Sequence, residues 1–225
     1  MYFSGGVALN IWNRVKQILS QDGLSKITFK FTQQEYYKTD LKTYALHEVS
    51  HAALLCLYDD FLSIEHKHIV INKESDSHFS YSRNEDPNAR ELYVDMIVCL
   101  SGLVAEMHYL NIQGTSAYED IQDWHKNARR WLIHYCSDYI AFPQTEEEIK
   151  WNNNIIHFHK MEQASIIKMI LNHNSILVNA FADNVIENVG ANNKEINEFL
   201  TKIEIPREAV AKLQDILDKA LIKWI

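Results

Sequence analysis

The 225 residues contain only six Gly and three Pro, against roughly 12 % for the two together in average proteins; that excludes collagen-like, linker-rich and many-turned all-β chains. Acidic residues outnumber basic ones 30 to 22, for a formal charge of -8, and no basic stripe stands out, which argues against a nucleic-acid binder. With 47 % hydrophobic and 23 % charged residues, the composition is that of a mostly helical globular protein able to bury a real core.

In chain order, residues 7–20 carry Val7, Ile11, Val15, Ile18 and Leu19 at helical spacing, with Gly23 as a stop. Residues 27–31 alternate as a short strand. Thr39 or Asp40 caps a helix that runs to about Tyr58. Residues 61–71, rich in β-branched side chains, are expected to be extended and to pair as a hairpin with residues 77–81 across a polar turn at 72–76. Asp86-Pro87-Asn88 opens a long helix over about 89–112, ended by Gly114. Ser116 and Glu119 match a capping box for a helix to about Tyr139. Thr145, followed by three glutamates, starts a helical stretch that reaches Val189 with a break near 172–174, and Gly190 ends it. Two shorter helices, about 194–203 and 207–224, flank Pro206. No repeat or Gly/Ser linker divides the chain, so residues 1–225 read as one domain, with a core over about 1–140 and C-terminal helices over about 145–225.

Cys56, Cys99 and Cys136 form no C-x-x-C pair and lie among apolar or aromatic neighbours, which points to buried reduced thiols and a reducing, cytoplasmic setting. The first residues lack a basic segment followed by a sustained apolar one, so no signal peptide is expected. The longest apolar run, 96–105, is interrupted by Ser101 and Gly102 and falls short of the ~20 residues a membrane span needs.

The chemistry concentrates in His47-Glu48-Val49-Ser50-His51, an H-E-x-x-H pattern inside the helix that starts near Asp40. Residues four apart on a helix share a face, about 5–6 Å apart at Cβ, so both imidazoles can reach one Zn²⁺ at about 2.0–2.1 Å. Glu48 is then placed to act as general base towards a zinc-activated water. The flanking residues, Tyr44, Ala45 and Leu46 before and Ala52, Ala53, Leu54 and Leu55 after, are those of a buried helix, where two histidines and a glutamate demand a partner. Leu54 and Leu57 stand where the longer metzincin pattern needs Gly and His, which excludes that class. A catalytic zinc needs a third protein ligand, for which Asp95, Glu106, Asp120, Asp123 and His125 are the candidates.

Three segments in order resemble the peptidase unit of the FtsH family, the membrane-anchored AAA-type zinc metalloproteases. Thr43 to Leu55 resembles that family's helix around H-E-A-G-H-A, and Val98 to Met107 its G-x-x-A-E-E segment, with Gly102, Ala105 and Glu106 on the fixed positions. Thr115 to Gln122 resembles its T-G-A-S-N-D-L segment, and Ala128-Arg129 continues its A-x-E-x-A-R ending. Together they cover roughly residues 40–140. The resemblance implies Zn²⁺ held by His47, His51 and Asp120, with Glu48 catalytic and Glu106 a candidate carboxylate behind the ligands. It implies a mainly α, zincin-like fold, with a small β-hairpin or sheet beside the motif helix and a C-terminal helical bundle. It further implies a metalloendopeptidase acting on unfolded or flexible polypeptide, which pairs with an edge strand drawn from residues 65–71 or 77–81.

Ser50, Ser116 and Glu119 depart from the family pattern, and no G-x-x-x-x-G-K-S/T motif occurs, so ATP-driven unfolding is not assigned to this chain. The partners expected are a polypeptide substrate and either a separate unfoldase or further copies of the chain, with no nucleic acid and no membrane span. The alternative is a zinc-binding regulatory or interaction module with little or no turnover. Gly102 lies inside a helix, at a cost of about 1 kcal/mol relative to Ala, and close packing beside the site is the reason inferred for it.

Overall fold

A computed structural model describes residues 41–71, 77–82, 84–111 and 117–221. The helix and strand expected within residues 7–31, together with Gly23, Gly114 and Ser116, lie outside the described residues. The described residues are mainly helical, with a small three-stranded antiparallel sheet, and all belong to one compact unit.

Helix α1, Leu41–Leu54, continues into a 3₁₀ turn at Leu55–Leu57. Every residue from Ala45 to Leu54 is buried, so α1 is a central helix rather than an amphipathic surface one. It packs against α2 (Ala89–Ala105) and α5 (Ser175–Glu187), with lesser contacts to α4 (Glu146–His173), α6 (Asn193–Leu200) and strand β2 (His78–Ser80). At its start, Lys42 reaches Asp183 on α5 at 2.5 Å. Helix α3 (Ala117–Tyr135) and α4 cover α2, and α7 (Arg207–Leu221) packs on α4. The C-terminal helices therefore enclose the motif helix and the helix beside it.

Capping chemistry sets the helix starts. Asn88 accepts from the backbone N–H of Arg90 and Glu91, while Glu91 accepts from the N–H of Asn88. Thr145 with Glu148 and Asn192 with Glu195 repeat the arrangement for α4 and α6. The expected break near 172–174 falls at Asn174. Helix α3 stops at Tyr135 rather than near Tyr139 because α4 takes the following backbone for itself: Asn152 bonds both the N–H and the C=O of Ile140, and Trp151 Nε1 donates to the Asp138 carbonyl.

The hairpin forms with strands shorter than expected. Strand β1 is His68–Val70, paired antiparallel with β2 in the register Ile69 to Phe79. Residues 59–63 turn instead of extending, because the fully buried Lys67 donates its ammonium protons to the carbonyls of Phe61 and Ile64. A third strand, β3 (Gly190–Ala191), pairs with the other side of β1, in the order β2-β1-β3. Residues 65–71 thus hold the central strand and not an edge, while β2 is terminal in that order. Gly190 does not stop α5, which ends at Glu187. Its φ of 151° and the closeness of a Cβ there to the Ile69 carbonyl make it the residue that lets β3 approach β1.

Helix α2 passes at Glu106 into a π-helical turn, Glu106–Leu110, and ends at Asn111 with φ 52°. Ala89–Leu110 is long and apolar enough to cross a membrane by length and composition, yet 83 % of that window is buried inside the protein; packing against α1, α3 and α4 accounts for its apolarity. Removing the cap that starts this helix should be felt globally. Asn88→Ala is expected to lower unfolding free energy by about 1 kcal/mol, read as a reduced urea midpoint at unchanged slope.

Candidate metal centre

His47 and His51 stand one turn apart on α1, with ring centroids 4.7 Å apart and Nε2 atoms separated by 3.0 Å. Asp120, in the first turn of α3, points its Oδ2 at both, 2.9 Å from His47 Nε2 and 3.3 Å from His51 Nε2. Glu48 is buried, and its carboxylate oxygen lies within 4.8 Å of the ligand nitrogens of the two histidines. The buried His47-Glu48-His51 group could hold a metal ion.

The remaining ring nitrogens define the tautomers. His47 Nδ1 donates to Glu106 Oε1 at 2.8 Å, and Glu106 is fully buried. His51 Nδ1 donates to the Val98 carbonyl at 2.6 Å, with Ser101 Oγ at 3.1 Å from the same nitrogen. With both Nδ1 protonated, each neutral ring leaves Nε2 as a bare acceptor. Two such nitrogens and a carboxylate oxygen then face one another with no donor among them. That arrangement is repulsive unless a cation or a proton sits between them.

A proton is one remedy. Burial works against a charged His47, but the hydrogen bonds to Asp120 and Glu106 and the nearby Glu48 carboxylate outweigh it and hold its pKa up at about 10. Burial likewise opposes an ionised Asp120, and the charges and hydrogen bonds of His51 and His47 overcome it, keeping the carboxyl far below the ordinary range. A metal ion is the other remedy, and it displaces the proton.

Gly102 shows that room is kept at this point. Helix α2 passes so close that a Cβ on residue 102 would lie against His47 Nε2, 2.5 Å from His47 Cε1 and 2.6 Å from His51 Nε2. Any side chain here would occupy the space that both Nε2 atoms face. The packing reason inferred for this glycine is therefore specific: it keeps clear the space that both Nε2 atoms face.

The other candidate ligands lie elsewhere. Asp95 is buried on α2, and its Oδ1 accepts the hydroxyl protons of Tyr58 at 2.6 Å and Tyr81 at 2.7 Å. Asp123 and His125 are on the exposed side of α3. Glu106 stands behind His47 and not beside Nε2. Ser50, which replaces a glycine of the resembled motif, returns its hydroxyl to the Leu46 carbonyl one turn back at 2.6 Å and stays out of that space. Glu119 is exposed. Trp124 and Trp131 are core residues, His66 and His68 are exposed, and His159 is buried against Tyr93 and Trp131, where burial lowers its pKa to about 4. Cys56 and Cys99 are buried free thiols, and burial pushes Cys56 up to about 12.

Sequence reasoning missed the Val98 carbonyl and Ser101. The signal was present, since Ser101 and Gly102 are the two interruptions of the apolar run 96–105, and both meet the histidines. No protein-family model and no curated protein matches this chain.

Gly102→Ala is expected to abolish stoichiometric metal binding while the helical circular dichroism is retained, checked by metal content after loading and dialysis. The charges also give the metal-free protein a pH signature. The folded pKa of His47, about 10, lies above its ordinary 6.5, so its contribution to stability is complete below pH 6.5 and is lost as pH rises towards 10. Asp120, depressed from 3.8, contributes above that value and loses its contribution as pH falls below it. Metal-free protein should therefore melt highest between about pH 4 and 6.5, with Tm falling at pH 8 and again at pH 10, read by thermal scans in chelator.

Proposed function

We propose that this chain is a zinc-dependent metalloendopeptidase of the kind its three motif segments resemble, the FtsH-type peptidase unit. The observation that carries the reading is the convergence of His47 Nε2, His51 Nε2 and Asp120 Oδ2 on one point, with Glu48 beside it and the Gly102 backbone against both histidine nitrogens. Two imidazoles and one carboxylate are a donor set that suits Zn²⁺ with three protein ligands and an open fourth position. Ligand atoms around a tetrahedral ion at about 2.0–2.1 Å sit about 3.3–3.4 Å apart, and the three separations here, 2.9, 3.0 and 3.3 Å, are close to that.

Zinc held there would supply a water of lowered pKa and polarise the scissile carbonyl. The chain's own residues do the rest. His47 and His51 keep their Nε2 atoms aimed by the bonds at Nδ1, and Asp120 adds the charge that binds a dication. Glu48 takes the proton of the attacking water and passes it to the leaving amine as the C–N bond breaks, giving a carboxylate and an amine. The proposed substrates are unfolded or flexible polypeptide segments. The altered Ser50 and Glu119 and the missing motor favour a module without turnover; against it, Ser50 turns its hydroxyl back to the Leu46 carbonyl and Glu119 is exposed.

Glu48→Gln removes the base and leaves the three proposed ligands in place. The variant is expected to keep zinc at wild-type stoichiometry and to lose at least about 100-fold in cleavage of an unstructured protein such as casein. Retained cleavage would rule out Glu48 as the base, and wild-type protein that binds zinc without cleaving any unstructured substrate would favour the module.

A further inference from the structure

Behind the two histidines lie groups from one face of one helix. Val98, Ser101 and Glu106 lie three and five residues apart along α2 and its continuation; Val98 to Ser101 is under one helical turn and Val98 to Glu106 just over two, which sets all three on the side of α2 that meets the histidines. Their chemistry is unequal. His47 Nδ1 is held by a carboxylate, Glu106, and His51 Nδ1 by a backbone carbonyl, Val98.

The Val98 carbonyl is heavily used. It has two lone pairs, and the helix pattern assigns it the N–H of residue 102. It also accepts from His51 Nδ1 at 2.6 Å and from the Ser101 hydroxyl at 2.7 Å. Since Ser101 gives its own proton to that carbonyl, its oxygen turns a lone pair towards His51 Nδ1, 3.1 Å away. A serine hydroxyl bonded three residues back is ordinary in helices; one that also meets a histidine of the metal site, in a position with no solvent exposure, is not.

We propose that Ser101 is a positioning residue for the metal site, its hydroxyl oxygen sharing the Nδ1 proton of His51 with the Val98 carbonyl and so keeping Nε2 of that ring bare and aimed at the ion. The proposal rests on the metal-site reading above and adds a residue that the resembled motifs do not specify. Ser101 is the neutral counterpart of Glu106: each holds one histidine from behind.

The test uses full-length protein and zinc alone, with affinity read by competition against a chelator and the visible absorption of the Co²⁺ form as a second signature. Ser101→Ala is expected to weaken zinc binding by about 10-fold and to alter the Co²⁺ bands. Ser101→Thr, which keeps a hydroxyl able to bond back along the helix, should bring affinity most of the way back. Alanine is the better helix former, so metal-free Ser101→Ala should melt at or above the wild-type temperature. A merely structural serine gives the opposite pattern: a lower metal-free Tm, with zinc affinity within about twofold of wild type. That result would overturn the proposal alone. Failure of wild-type protein to bind zinc at one equivalent would overturn the metal-site reading and this proposal with it.

Discussion

Everything around the motif follows from one contact: the Nε2 atoms of His47 and His51 face the backbone of α2 at Gly102 with no side chain between them. Two helices can approach that closely only where one of them lacks a Cβ. The approach brings the groups of α2 within hydrogen-bond reach of both imidazoles, so the glycine that opens this space also delivers Glu106 and the Val98 carbonyl to the nitrogens behind it. A helix-interior glycine costs about 1 kcal/mol, and against that cost stand the hydrogen bonds that α2 makes to both rings.

The burial of α1 makes this arrangement stringent. His47, Glu48, Ser50 and His51, with Thr43 a turn earlier, are buried polar residues in a helix whose other buried residues are apolar. Ser50 is satisfied within the helix, the histidines by α2 and α3, and Glu48 lies against the histidine pair. The C-terminal helices close the remaining sides. Trp124, one turn beyond Asp120, donates its indole proton to Gln163 of α4 at 2.6 Å, and Trp131 donates to the Ala89 carbonyl at the head of α2. The helix that carries Asp120 is thereby pinned at two levels, by partners on two different helices.

Much of this was legible in the residues. The four-residue spacing of His47 and His51 set them on one face, and the capping signals at Asn88 and Thr145 marked where helices begin. Asp120 was one of five acids and histidines in suitable places, and only the segment resemblance singled it out. What stayed hidden depends on distance between elements. The two-residue strand at Gly190–Ala191 has no periodicity to read. The turn over 59–63 is imposed by a buried lysine whose sequence context looks extended. Tyr58 and Tyr81 meet on Asp95 from far along the chain, which removes Asp95 from the ligand candidates for a reason that spacing alone cannot express.

The π-helical turn at Glu106–Leu110 has a further consequence. A π turn closes its hydrogen bonds one residue later than an α turn, so it stores an extra residue without lengthening the helix by a full turn. Everything up to Gly102 keeps the phase of α2, and Glu106, the carboxylate on His47, stands where the turn begins. The turn therefore changes the phase of the last residues of this helix, Met107 to Leu110, without moving the face that orients the histidines. Losing one residue here would let the helix relax to α geometry while Gly102 and Glu106 stayed in place. The orienting face of α2, which ends at Glu106, need not register such a change.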